Sequence, residues 1–304
     1  MPSTRALDHI VHLTPPETIH DTAQQFRQLG FYVIAGGTHA DGLTANSLII
    51  FPDGPYLELI SFTHPESHYP PSSPFHDARR SHPWANKGFG WVAYSFLGAP
   101  HATPTLSAIL NGRLQEVGSG TRYAPEVAGG RRRPDGVELK WEITAPARWA
   151  EKEGGTRLPF FCGDVTPREL RVPTRPRSIT VHPNGAQGIA FLCVLAPSST
   201  FEAISAELIA IVGEAPIVKK YSAMTTTTTT TSEHVWLLDL PGNVTPKRHP
   251  QLVLREPDMR DEVEAHFVET HGAGLFEIGV RVDESGGKRG SSETPFGRVV
   301  WVPV

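Results

Sequence analysis

The first sixty residues alternate apolar and polar positions in a pattern that predicts a strand, a helix and three further strands. The run LDHIVHL reads as a strand, and TPPETIHDTAQQFRQLG follows it as a helix. Thr14 is expected as the N-cap, Pro15 as the first helical residue, and Glu17 as the partner that completes a capping box. The apolar segments FYVIAGG, SLIIF and YLELISF then predict three strands separated by turns. The predicted order is β-α-β-β-β.

A similar order recurs along the chain, first in FGWVAYSFLG, TPTLSAILNGRL and GVELKWEIT, and again from GIAFLCVLAP onwards. Repetition of a strand–helix–strands unit predicts modules that pair, because one module alone cannot bury its sheet face. We expect a first module at 5–64, a second at 86–146, a Pro- and Arg-rich connector at 147–177, and a C-terminal α+β region at 178–304. That last region has the character of a further, degenerate module pair.

Two polar residues, His9 and Glu58, stand in predicted strands that are otherwise largely apolar. Successive side chains of a strand point to opposite faces, so His9 shares a face with Val11 and Leu13. His12 falls on the other face and is expected at the outside or the rim. Glu58 lies in YLELISF, where a buried carboxylate must be hydrogen-bonded, paired or bound to a metal. An imidazole and a carboxylate on neighbouring strands predict two ligands of a divalent metal, with a core histidine and an arginine-paired carboxylate as the alternatives.

Several phrases of the sequence occur in a characteristic order: LDHIV, QLGF, GGTHADGLTANSLIIF, GPYLELISF, DGVELKWEITAP, LPFFCGD and HPNGAQGI. Over roughly the first 190 residues they resemble the glyoxalase-like domain family of the vicinal oxygen chelate (glyoxalase/bleomycin resistance/dioxygenase) superfamily. The resemblance implies an α+β fold in which repeated βαβββ modules form curved mixed sheets around a cleft. It also implies that His9 and Glu58 occupy the places where metal-using members hold a divalent ion.

The second half of such a site departs from the superfamily pattern. The usual arrangement takes a His or Gln from the first strand of the second module and a Glu from its last strand, yet FGWVAYSF contains no histidine. Glu142 in VELKWEIT and His182 in HPNGAQG are the residues expected to complete the ligand set. A strand-edge carboxylate and a turn residue are their respective alternatives. The implied cofactor is a divalent metal: Fe, Mn, Zn or Ni.

A metal with open positions binds a substrate through two neighbouring oxygens and acts as a Lewis acid. Glu58 is expected as a catalytic base, and His182 as the residue that completes a set of two His and one carboxylate. These residues predict a metal-dependent isomerase, lyase or ring-cleaving enzyme. The alternative is a metal-free protein that binds or sequesters a small molecule. Five residues are expected to contact the substrate: His39, Asn46, Trp91, Trp141 and Phe161. The alternatives are a turn residue for Asn46 and ordinary core packing for the aromatic residues.

Composition narrows the class of partner. The net charge of −4 gives no reason to expect nucleic acid or a membrane surface, which leaves a small-molecule substrate and a possible homodimer. Two cysteines outside any CxxC pair favour a reducing, cytoplasmic location. The run Arg131–Arg133 is expected to be a solvated loop, with an anion gate for the cleft as the alternative. The tract Thr225–Thr231 is expected to be a flexible loop and has no predicted role.

Overall fold

The computed structural model describes residues 2–133, 135–150, 157–222, 230–243, 248–283, 288–294 and 296–304. The helices are α1 (Ile19–Gln28), α2 (Pro74–Ser81), α3 (Leu106–Glu116), α4 (Arg168–Arg171), α5 (Ser198–Val212) and α6 (Glu262–His271). The strands are β1 (Leu7–Thr14), β2 (Ile34–Thr38), β3 (Thr44–Ile50), β4 (Tyr56–Phe62), β5 (Gly90–Leu97), β6 (Val127–Arg132), β7 (Glu138–Thr144), β8 (Phe160–Asp164), β9 (Ala186–Leu195), β10 (Ile217–Ser222), β11 (Thr230–Leu237), β12 (Gln251–Arg255), β13 (Gly274–Val282), β14 (Gly290–Thr294) and β15 (Gly297–Pro303).

These strands form two mixed sheets. The first has the order β2-β3-β4-β1-β5-β8-β7-β6, and the second has the order β10-β11-β12-β9-β13-β15-β14. The two edges of the first sheet approach each other, since His39 bridges to Arg131 and the Ala40 N–H donates to the Gly130 carbonyl at 2.9 Å. The sheet is therefore curled almost into a barrel. This confirms the predicted α+β class with curved mixed sheets around a cleft.

The main core lies between the two sheets and contains the apolar faces of α1, α3 and α5, including Phe26, Leu110 and Leu208. The outer faces of the two sheets differ. On the first sheet this face lines an open cleft. On the second it is covered by α6, where Phe267 and Val268 pack against a small apolar cluster of Cys193, Leu195 and Phe276. A second cavity, of about 300 Å³, lies beside α6 and is lined by Phe89, Phe267, Phe276 and Arg298. The polar residues singled out from the sequence line the cleft of the first sheet.

Two details differ from the sequence-based expectations. Helix α1 begins at Ile19, after an N-cap at Thr18, because Thr14 is still hydrogen-bonded within β1 and Glu17 has a positive φ of 69° that interrupts the predicted first turn. The expected connector contains β8, which pairs in parallel with β5 and antiparallel with β7. The second module therefore gains its last strand from residues beyond 146.

Other expectations concern exposure and sequence character. His12 is fully buried between the rings of Phe26 and Trp91, so it is a core residue and not a rim residue. Residues 223–229, which hold most of the threonine tract, lie outside the described residues, and β11 begins at Thr230.

Cys162 and Cys193 are both free and buried. Within the described ranges, no helix is long and apolar enough to cross a membrane.

The contact between β5 and β8 is testable at Gly98, where the backbones approach too closely for a side chain. A Cβ atom on Gly98 would lie 2.7 Å from the backbone nitrogen of Gly163. We expect Gly98→Ala to lower the free energy of unfolding by about 1–3 kcal/mol, measured by urea denaturation. Gly112→Ala is the control, because it faces open space within α3 and should raise stability by up to about 1 kcal/mol. Equal effects of the two substitutions would contradict the β5–β8 pairing.

Candidate active site

The cleft of the first sheet is a cavity of about 260 Å³, close to the lower end of the sizes typical of small-molecule sites. Both modules contribute to its walls. Of the residues singled out from the sequence, the structure brings five together here: His9, His39, Asn46, Glu58 and Trp141.

His9 is held by the residue that precedes it. Its Nδ1 lies 2.6 Å from Oδ2 of Asp8, so the ring donates its Nδ1–H to a carboxylate that is completely buried. Burial alone raises the pKa of Asp8, but Arg168, Arg171 and the His9 ring outweigh it and hold that pKa well below its usual range. The imidazole also stacks on Tyr56 with ring centroids 4.7 Å apart. Its orientation is therefore fixed, and Nε2 faces Glu58.

Glu58 lies beside His9 because β4 pairs in parallel with β1, which sets Val11 opposite Glu58. Its Oε2 lies 3.5 Å from His9 Nε2, and its Oε1 accepts a hydrogen bond of 2.6 Å from Nδ2 of Asn46. His39 Nε2 lies 3.6 Å from the same Oε1. The carboxylate is thus surrounded by two imidazoles and one amide.

His39 enters the cleft from the turn after β2, and its Nδ1 lies 2.7 Å from the Thr44 hydroxyl. Burial lowers the pKa of His39, against the opposite effects of the Glu58 and Asp41 carboxylates. The ring is therefore neutral at neutral pH. In that form it has one nitrogen that accepts and one that donates a hydrogen bond.

The structure places His182 away from the cleft, which corrects its expected role as a ligand and catalytic residue. Its Nδ1 accepts the Tyr32 N–H at 3.0 Å, and its Nε2–H donates to the Ile50 carbonyl at 3.1 Å. Both ring nitrogens are engaged with backbone groups beside the rings of Phe31 and Phe51. His182 therefore joins the start of β9 to the first module as a structural residue.

Glu142 and Phe161 are on the wrong face of their strands. Trp141 and Ile143 line the cleft, so Glu142 between them points outward, where its carboxylate lies 3.9 Å from the His101 ring. Phe161 packs in the core between the sheets, while its neighbour Phe160 lines the cleft. The strand alternation that singled out His9 corrects both assignments.

Trp91 also lies outside the cleft. Its indole N–H donates to the Arg298 carbonyl at 3.0 Å, and its ring meets His12 and Phe26 at the junction of the two sheets. Trp91 therefore contacts the C-terminal half of the chain and none of the cleft residues named above. Its expected contact with substrate is wrong, and its role is in packing.

The side chains of the cleft offer few donors for a divalent metal. Of the four expected ligands only His9 and Glu58 are adjacent, and Asn46 already occupies one oxygen of Glu58. In the part of the chain that the structure describes, no group of three or more His, Cys, Asp or Glu side chains is placed to hold a metal ion. These residues therefore do not fit a metal centre with three or four protein ligands.

Three residues that shape the site were not singled out from the sequence, namely Asp8, Trp84 and Trp149, and a fourth, Arg131, entered only through the alternative of an anion gate. Asp8 stands next to His9 in LDHIVHL, and its position before a buried histidine was the available signal. Arg131 is expected in a solvated loop but lies buried in β6 at the cleft wall. Trp84 and Trp149 also line the cleft, from segments between the predicted strands, and no local pattern marks them.

The glyoxalase-like domain model matches residues 7–209, more than half of the chain. The chain belongs to the glyoxalase-like domain family. This confirms the resemblance read from the sequence, and residues 7–209 of this glyoxalase-like protein include every cleft residue discussed above. A comparison with curated proteins gives no match.

Solved structures give a likeness of fold for this glyoxalase-like protein. A hypothetical protein from Staphylococcus aureus is 10% identical with a TM-score of 0.63, covering 98% of this chain and 99% of that chain. A variant of 4-hydroxymandelate synthase from Streptomyces coelicolor is 14% identical with a TM-score of 0.48, over 97% and 78%. A variant of methylmalonyl-CoA epimerase from the same organism is 18% identical with a TM-score of 0.32, over 54% and 100%. The first of these shows the shared fold and says nothing about the reaction.

The structural role of His182 predicts a pH dependence of stability. Burial lowers its pKa from 6.5 to about 4, so the unfolded chain binds a proton there more tightly than the folded chain. Its contribution is present above pH 6.5 and is lost as the pH falls towards 4, by up to about 3 kcal/mol. We expect His182→Leu to be less stable at pH 7, by about 2–3 kcal/mol in urea denaturation, with a weaker fall between pH 6.5 and 4. An unchanged pH profile would contradict the assignment.

Proposed function

We propose that this protein is an enzyme that transfers a proton on a small oxygenated organic molecule, in an isomerase or lyase reaction, with His9 as the base. The observation that carries the proposal is the Asp8–His9 pair. A buried carboxylate holds Nδ1–H at 2.6 Å, while Nε2 faces the cavity. This arrangement fixes the tautomer in which Nε2 can accept a proton, as the general-base histidine of a hydrolase is fixed by its aspartate.

The neighbouring residues support the same role. When His9 Nε2 removes a proton from a carbon beside a carbonyl, the bonding electron pair moves onto the carbonyl oxygen and the ring becomes an imidazolium. Asp8 on one side and Glu58, 3.5 Å away on the other, stabilise that positive charge. The proton then returns to an adjacent atom of an isomerised product or to a leaving group. Asn46 keeps Glu58 in place through its 2.6 Å hydrogen bond.

A metal-dependent reaction is the second candidate, and the position of His9 favours it. A metal-bound histidine usually donates its other ring N–H to a carboxylate, as His9 does to Asp8. Glu58 is next to the free nitrogen. His39 Nε2 lies 3.6 Å from the other oxygen of Glu58, but the described residues hold no group of three side chains placed to bind a metal ion. Ring cleavage with iron would require His39 to move into the position of a third ligand. The metal-free binding or sequestration protein is the remaining alternative, consistent with the aromatic walls of the cavity.

Metal analysis separates the first two candidates. We expect purified protein incubated with Fe, Mn, Zn or Ni and then desalted to retain less than one equivalent, because two adjacent donors do not make a closed site. Elemental analysis by mass spectrometry gives the stoichiometry, and His9→Phe and Glu58→Gln are the controls. One equivalent in the wild type that both substitutions abolish would overturn the metal-free proposal.

Solvent exchange tests the proton transfer. A panel of hydroxy ketones and hydroxy acids, with 3-phenyllactate among them, is incubated with the protein in D₂O, and deuterium at carbon is followed by NMR. We expect exchange in the wild type and a loss of about 10²–10⁴-fold in His9→Phe, which keeps the ring stacking on Tyr56.

The controls are a heat-unfolded sample and Glu142→Gln, whose side chain points away from the cleft. Exchange that survives His9→Phe would show that another group is the base. Cleft binding without any exchange, detected as quenching of tryptophan fluorescence, would favour the sequestration alternative.

A further inference from the structure

We propose that the cleft takes a short carboxylic acid that carries an aromatic ring and a hydroxyl or oxo group, and that Arg131 binds its carboxylate. This inference rests on the proposed function only for the position of the reacting end at His9. The assignment of Arg131 and of the aromatic walls stands on the observations below.

Arg131 is built into the cleft wall. It lies on β6 opposite His39, at the point where the two edges of the first sheet meet, and both side chains line the cavity. Only 5% of Arg131 is exposed. Its guanidinium donates to the backbone carbonyls of Gly36 and Arg171, which hold the group in one place.

Arg131 has hydrogen-bond partners but no paired anion. Arg171 binds Asp8 and Asp164, and Arg133 binds Asp135, whereas no carboxylate of the described residues forms an ion pair with Arg131. Burial lowers its pKa, and the more distant Tyr56 and Glu58 oppose this effect. A buried charge without a counter-ion is unfavourable, so an anionic ligand would supply the counter-ion that Arg131 lacks within the described residues.

The guanidinium retains the capacity to bind such a ligand. It has five N–H donors, of which the two carbonyls use two. The planar fork of arginine matches a carboxylate with two parallel hydrogen bonds, which a single lysine ammonium cannot reproduce. The chemistry of the group therefore favours a carboxylate.

Aromatic rings form the wall that would hold the rest of the ligand. Trp149 packs against Trp84 and Phe160, with ring centroids 4.8 Å apart in both pairs, and all three rings line the cavity. Trp141 adds a fourth ring, in edge contact with His39. Flat apolar walls of this kind favour an aromatic ring over a polar or highly branched group. The volume of about 260 Å³ accommodates one ring and a short chain.

Four residues with charged side chains line the cleft: Asp41, Glu58, Arg131 and Arg171. Arg171 is paired with Asp8 and Asp164, and Asp41 lies 3.8 Å from the His82 ring, so Glu58 and Arg131 define how the ligand lies. The Glu58 carboxylate lies beside His9 and disfavours a second carboxylate at that end, whereas Arg131 attracts one. A hydroxyl on the ligand can donate to Glu58 while the carboxylate binds Arg131. The carbon between these two groups then lies next to His9 Nε2, where a proton is removed.

Binding measurements with matched probes test this inference. The probes are 3-phenyllactate, its amide, and 3-cyclohexyllactate, and affinity for the intact protein is measured by calorimetry. We expect the acid to bind about 10–100-fold more tightly than the amide, and the phenyl compound more tightly than the cyclohexyl compound. In Arg131→Gln the preference for acid over amide should disappear. Arg132→Gln is the matched control, because it removes the same charge from the adjacent, exposed position.

Arg131→Lys covers the case in which Arg131→Gln does not fold, and it should keep the charge but lose most of the acid preference. Equal binding of acid and amide by the wild type, an equal effect of Arg132→Gln, or no binding of any probe would overturn the inference. His9→Phe should leave the acid preference unchanged. If the acid binds through Arg131 but no deuterium is exchanged, the proposed proton transfer alone is refuted. If deuterium is exchanged into compounds whose binding does not depend on Arg131, this inference alone is refuted.

Discussion

The site depends on one buried negative charge, that of Asp8. Its carboxylate is completely excluded from solvent and is bound by Arg171, by Arg168 and by the His9 ring. The two arginines belong to α4, which follows β8, so this ion pair joins the last strand of the second module to the first strand of the first module. A buried carboxylate with fewer partners would be strongly destabilising, and the same partners that stabilise it also fix the direction of His9.

The back-to-back packing of the two sheets explains why one half of the chain carries the site. Each sheet buries one face in the common core, and the other face must be covered or used. In the C-terminal half, α6 covers it, with Arg255 bound to both oxygens of Glu264 on that helix. In the N-terminal half the curled sheet leaves a cavity with polar groups at its base.

Sequence reasoning succeeded where the signal was local and failed where it was not. Strand alternation was sufficient to place His9 in the cleft, and parallel pairing of β1 with β4 brought Glu58 to it. The family resemblance supplied the fold. His182 was misplaced because its partners, Tyr32 and Ile50, are more than 130 residues away in sequence, and no local pattern reports such contacts. Arg131 was expected in solvent because a run of three arginines usually is exposed, yet β6 turns one of them inward.

The second module contributes a guanidinium to the cleft from β6, whereas the superfamily pattern takes metal ligands from the first and last strands of that module. A dication beside a guanidinium suffers charge repulsion, and in a cavity of low dielectric this repulsion is stronger than in water. Among the described residues, β5 and β7 bring no imidazole or carboxylate into the cleft. Of the two arginines that line it, Arg171 is paired with Asp8 and Asp164, which leaves Arg131 as the cation available to a ligand. A guanidinium is a hydrogen-bond donor and not a Lewis acid, so it stabilises a carboxylate or an enolate oxygen by position and charge. A guanidinium in the cleft wall therefore supports the proposed proton transfer on an anionic substrate over chemistry that needs open coordination positions.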